Sequence, residues 1–160
     1  MKSLNASGYS LSAVQNHYSL LYRASEEAGI VDYCRQNNIT FFAYMVLEQG
    51  ALSGRYDSNH PMPAGSGRAE SYNAVLPQIE RLTAAMKKWG RKECQRGTDS
   101  HRMGCCERYP SLVGATKVHH VLDAACASDI QLRDEEIILL EQLAAETRVD
   151  TRGAREKPMV

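Results

Sequence analysis

The sequence has no excess of charge in either sense. Its 19 Lys+Arg stand against 19 Asp+Glu, which removes the overall electrostatic footprint of a protein that binds nucleic acid or an acidic membrane surface. It has no apolar run approaching the roughly 20 residues that span a bilayer. Its first residues, MKSLNASGYSLSAV, lack the apolar h-region of a signal peptide. It has five cysteines but no CxxC pair, so a zinc or dithiol module has no recognisable spacing. These absences lead to the expectation of a soluble, cytoplasmic chain with reduced thiols, no nucleic-acid partner and no membrane partner. What is present is ordinary for a globular protein of 160 residues, with 43% hydrophobic and 24% charged side chains.

Along the chain, strand and helix patterns alternate. SLSAVQNHYSLL predicts a short apolar strand, Leu11 to Val14, running into a polar edge at residues 15–18. In SEEAGIVDYCRQNN, Ser25 is an N-cap candidate with Glu26 and Glu27 in the first turn. Ile30, Val31 and Cys34 then recur on one face, and Asn37 with Asn38 ends the helix. ITFFAYMVL is rich in β-branched and aromatic residues, which suits a strand buried on both faces. Residues 53–71, loaded with Gly, Pro and Ser, predict a loop.

YNAVLPQIERLTAAMKKWG is helical, with Val75, Leu76, Ile79, Leu82 and Met86 on one stripe. SLVGATK reads as a strand end breaking at Gly114, and VHHVLDAACASD as a helix. LRDEEIILLEQLAAET is a terminal helix with Asp134 as its cap and Ile137, Leu140 and Leu143 at helical spacing. Such alternation predicts βα units on a parallel sheet. Three strands are too few to close a barrel.

Three of these segments carry a pattern. FFAYMVLEQGALSGRY is similar to the aldo-keto reductase segment commonly written AYSPLGQGLLTGKY. VQNHYSLL resembles the family strand VNQVEYSLL, and VGATKVHHVLDAA resembles the last barrel strand and its helix. The resemblance covers nearly the whole chain except residues 90–111. It implies an α/β fold, the C-terminal strands and helices of an incomplete (β/α)₈ TIM barrel, with residues 1–160 forming one partial domain.

It also implies roles for individual residues. Tyr44 matches the tyrosine that stacks on the nicotinamide ring, and Gln15 the glutamine that hydrogen-bonds its carboxamide. Leu47 lies in the loop over the pyrophosphate. Ala115, Thr116 and Lys117 match the turn approaching the adenosine 2′-phosphate, with Lys117 supplying a cation. His120 stands where many members place an arginine for that phosphate, and Asp123 where they have an acid facing adenine. The implied cofactor is NADP. Without the resemblance, Tyr44 would read as core, and Lys117 with the His119–His120 pair as a solvated helix start.

The family's catalytic Asp, Tyr, Lys and His come from the first four strands, and no residue here matches them. The resemblance therefore implies carbonyl reduction only when the missing half-barrel is supplied. The competing expectations are a non-catalytic remnant that binds nucleotide, and, far behind, a metal or thiol module on Cys105 and Cys106. Open strand edges, with Leu11, Val14, Phe41 and Phe42 exposed beside them, would invite pairing with another chain.

Residues 90–111 stand apart. They contain no Val, Ile, Leu or Phe, yet hold Cys94, Cys105, Cys106 and five of the 19 Lys+Arg. Zinc ligation by these cysteines and His101 is disfavoured by the adjacent cysteines. The basic residues are interleaved with Glu93, Asp99 and Glu107, so no binding stripe forms. Where the family carries a helix of the type VAQIAIAWAVAKGTLPIVG, reading possible codons one base forward restores that pattern. The ATG of Met103 followed by the G of Gly104 then gives tryptophan. The expectation is a frame-shifted, disordered segment that binds no metal.

Overall fold

A parallel β-α-β unit forms the centre of the computed structural model, which describes residues 8–93, 109–127, 132–149 and 151. Strand β1 (Ala13–His17) pairs with β2 (Thr40–Tyr44) in the register Ala13↔Thr40 through His17↔Tyr44. Helices α1 (Ala24–Glu27) and α2 (Ile30–Gln36) make the crossover, as a parallel connection requires. After β2 come a 3-10 turn (Glu48–Ser53), α3 (Gly67–Tyr72), α4 (Leu76–Glu93), α5 (Val118–Ala127) and α6 (Asp134–Glu146).

β2 is covered on one face rather than buried on both. Phe41 and Ala43 are buried, whereas Phe42 and Tyr44 on the opposite face are half-buried, the period-2 alternation of a strand. Phe41 is therefore not the exposed edge residue that was expected. The rings of Tyr18 and Tyr109 meet it edge-on, with centroids 5.9 and 5.3 Å away. Tyr109 belongs to the stretch expected to be disordered, but it packs on the core. The next residues also join the sheet. Ser111 bridges Ala43 in parallel, where Ala43 N–H donates to Pro110 O (3.0 Å) and Leu112 N–H to Ala43 O (2.8 Å). Among the described residues this bridge stands where a full third strand was expected.

β1 begins later than its apolar side chains suggested and includes the polar residues 15–17. Its extent is set by backbone pairing with β2, not by hydrophobicity. The helix expected from Ser25 is two helices, because Gly29 takes a left-handed φ of 71° between them. Arg23 is the N-cap, and Ser25 lies inside α1, buried, accepting a 3.0 Å hydrogen bond from Asn16 Nδ2. Asn37 does close α2, and Asn38 follows with a φ of 54°.

The segment read as loop contains α3. Ser66 Oγ caps it by accepting from Ala69 N–H at 3.2 Å, and Asn73 pins the loop by bonding both N–H and C=O of Met62. On α4 the expected stripe is the observed one: Leu76, Ile79, Leu82 and Met86 are buried and Val75 is half-buried. Pro77 sits in the first turn, where its missing N–H costs no helical hydrogen bond. At α6 the N-cap is Arg133 rather than Asp134, one residue earlier; its N–H donates to Glu136 Oε2 at 3.0 Å, which closes the first turn. Arg81 on α4 pairs with Glu146 on α6 (3.0 Å). Arg23 reaches Glu141 on α6 (3.1 Å) while bonding Glu26, which holds its guanidinium charged.

Cys34 is buried and its thiol is a free one whose pKa burial pushes up. Cys126 is disulfide-bonded, so the expectation of reduced thiols fails there. Cys94, His101, Cys105 and Cys106, with most of the anomalous stretch, lie outside the described residues. Among the described residues no cluster of three His, Cys, Asp or Glu could hold a metal ion, and no helix is long and apolar enough to cross a membrane.

Candidate functional site

The chain leaves the C-terminal end of β2 through an unusual backbone. Met45, Glu48 and Gln49 take φ values of 56°, 47° and 52°, and Gly50 one of 103°. Three left-handed non-glycine residues within five positions store conformational energy that the surroundings must hold in place. This turn forms one wall of a cleft of about 400 Å³. Leu47, Gln49 and Tyr56 line it from the turn side, Arg68 comes from α3, and residues 112–114 and His120 close it from the other side of the β2 bridge. Ligand sites of parallel sheets sit at this end of the strands, outside their carboxyl termini.

The cleft is basic. Arg55 and Arg68 both line it, and Arg68 donates from Nη1 to the carbonyl of Gln49 at 3.3 Å, which ties α3 to the left-handed turn. His120 Nδ1 accepts from the N–H of Thr116 at 3.3 Å, folding the exposed turn of Ala115, Thr116 and Lys117 back onto the first turn of α5. Two guanidiniums and an imidazole around a part-apolar cleft can hold an anionic group such as a phosphate ester.

Beneath the turn lies a buried polar cluster. Glu48, 0% exposed, receives His17 Nε2 on Oε1 at 2.8 Å and Ser19 Oγ on the same oxygen, while Tyr72 OH donates to Oε2 at 2.6 Å. Ser19 Oγ in turn accepts from the N–H groups of Leu21 and Tyr22. The His17 ring stacks on Tyr22 (4.1 Å, 4°) and lies 5.7 Å from the ring of Tyr44.

The residues singled out in the sequence divide between places. Leu47 and His120 meet in the basic cleft. Ala115, Thr116 and Lys117 are exposed directly after Gly114 at its rim. Tyr44, half-buried, lines a second recess of about 310 Å³ with Asn16, His17 and Tyr22. Gln15 is exposed on β1 one pleat before His17 and therefore on the same sheet face as Tyr44. Asp123 is buried on α5 and does not line the cleft; its Oδ2 has no hydrogen-bond partner among the described residues.

Sequence reasoning missed Arg55, Arg68 and Glu48. Glu48 gave no signal of its own, since in YMVLEQGAL it stands directly before polar Gln49 and Gly50.

Residues 1–145 match the model of the Aldo/keto reductase family. A Schizosaccharomyces pombe protein bearing an aryl-alcohol dehydrogenase name is 28% identical over 144 residues, which is 81% of this chain and 37% of that protein. The aldo-keto reductase yakc [NADP(+)] of the same organism is 40% identical over 68 residues, covering 41% of this chain and 20% of its own length. Among solved structures, a thermostable aldo-keto reductase in complex with the inhibitor epalrestat superposes with a TM-score of 0.50 at 17% identity, over 89% of this chain and 43% of that one. The chain thus spans less than half the length of each of these relatives.

Proposed function

The chain belongs to the aldo/keto reductase family, and from that premise we propose that it is the cofactor-binding part of an NADP-dependent reductase, the C-terminal portion of a (β/α)₈ barrel. The observation that carries this reading is the basic cleft at the C-terminal end of β2, where Arg55, Arg68 and His120 converge. In this reading Arg55 and Arg68 neutralise the pyrophosphate under the turn that carries Leu47. Lys117 and His120 take the adenosine 2′-phosphate, with the backbone of Ala115 and Thr116 beside it; Asp123, buried on α5 outside the cleft, makes no contact with the nucleotide. Tyr44 offers its ring face to the nicotinamide, and Gln15, on the same sheet face, bonds the carboxamide.

NADPH supplies a hydride to a carbonyl carbon when bound. The residues of this chain bind and orient; none of them matches the family's proton-donating tyrosine or the Asp, Lys and His that accompany it. Carbonyl substrate is therefore a partner only when the remainder of a barrel is supplied.

The purified 160-residue chain is expected to show no aldehyde- or ketone-dependent loss of NADPH absorbance. Turnover by the chain alone, abolished by Tyr44→Ala, would overturn the assignment to the cofactor side.

A further inference from the structure

We propose that Glu48 is a positioning residue: its buried carboxylate, held by His17, Ser19 and Tyr72, clamps the left-handed turn at residues 45–50 and so sets nucleotide affinity in the adjoining cleft without touching the nucleotide. The affinity part rests on the cofactor-binding reading above; the clamp itself does not.

Leu47 and Gln49, on either side of Glu48, line the cleft, whereas Glu48 points the other way into the core. Its donors come from three places: His17 at the end of β1, Ser19 in the turn after it, and Tyr72 at the end of α3. One carboxylate thus ties the turn to the sheet and to the helix that also carries Arg68. An apolar residue could fill the same space, since a buried ionisable group is weak evidence for stability on its own. What an apolar residue could not do is select one backbone arrangement by direction. Three directional hydrogen bonds over-determine the left-handed conformations of Met45, Glu48 and Gln49, which a freely chosen turn would avoid. The second tether, Arg68 to the carbonyl of Gln49, acts on the same turn from the cleft side. His17 also packs near Tyr44, so the clamp borders both recesses.

The intact chain and its Glu48→Ala, Glu48→Gln, Tyr72→Phe and Leu82→Ala variants are titrated calorimetrically with NADP⁺, and amide hydrogen exchange is followed without ligand. Glu48→Ala is expected to weaken binding about tenfold and to deprotect amides 46–54 while those of β1 and β2 keep their protection. Glu48→Gln keeps an Oε1 acceptor for His17 and Ser19 and should restore most of the affinity. Tyr72→Phe, which removes one donor and keeps the ring, should fall between; it carries the test if Glu48→Ala does not fold. Leu82→Ala lowers the melting temperature but should leave affinity unchanged, which separates positioning from general stability. Equal losses in all four variants, or unchanged exchange at 46–54 in Glu48→Ala and Tyr72→Phe, would overturn the clamp. If the unaltered chain binds no NADP⁺, the functional reading fails, and the exchange data alone decide whether the clamp exists.

Discussion

Alanine at both Arg55 and Arg68 is expected to weaken NADPH binding by about 10- to 100-fold, because charge-assisted hydrogen bonds to phosphate oxygens contribute roughly 1.5–3 kcal/mol each where they are sheltered. Arg68 should carry the larger share. It is half-buried at the cleft wall and already oriented by the Gln49 carbonyl, whereas Arg55 is exposed and its contribution is screened by salt. Arg68→Lys keeps the charge but loses the planar fork that reaches two acceptors, so it should recover only part of the affinity. Isothermal titration of the variants at two salt concentrations measures both effects. Affinity unaltered in the double variant would remove the cleft from the binding surface.

Leu82→Ala should cost about 2–5 kcal/mol of stability, the range for a fully buried leucine whose cavity cannot collapse. Leu82 is 0% exposed in the stripe of α4, next to Ile79 and Met86, and the total stability of a domain is only about 5–15 kcal/mol. Exposed Lys88 on the same helix is the control; Lys88→Ala should shift stability by no more than about 0.5 kcal/mol. Urea unfolding of both variants decides it, and near-equal midpoints would mean that α4 does not pack as described.

These two experiments probe the parts of the molecule that differ most in how far the sequence revealed them. The α4 stripe was legible because five apolar residues repeat with helical period and nothing else satisfies that repeat. The terminal helix was legible for the same reason, although its cap was placed one residue late. β1 was misread because its side chains turn polar where its backbone still pairs, and side-chain hydropathy does not report backbone pairing. The single helix from Ser25 became two because Gly29 takes a left-handed φ that an α-helix cannot continue through, and the apolar face of Ile30, Val31 and Cys34 begins only after it. α3 escaped notice since six residues give too little period to see, and its Ser66 cap lay among other loop-forming residues. Tyr109 joined the core although its neighbours in sequence have no apolar pattern, since two ring edges suffice to hold a third aromatic.

The site followed a similar division. Tyr44, Leu47 and His120 were reached through the family resemblance, which fixes chain positions but not surroundings. Arg55 and Arg68 sit in a polar stretch where basic residues are usually solvated, and only tertiary structure turns them toward one cleft. Glu48 was invisible because an acid beside Gln49 and Gly50 reads as a surface turn. Its burial depends on donors 31, 29 and 24 residues away.

The most direct test is hydrogen exchange of the unaltered chain with and without NADPH. Added protection is expected at residues 45–56 and 112–120, the two walls of the basic cleft, with little change in α6. Protection absent from both walls, or confined to α6, would contradict the assignment of this chain to the cofactor-binding side of an aldo-keto reductase barrel.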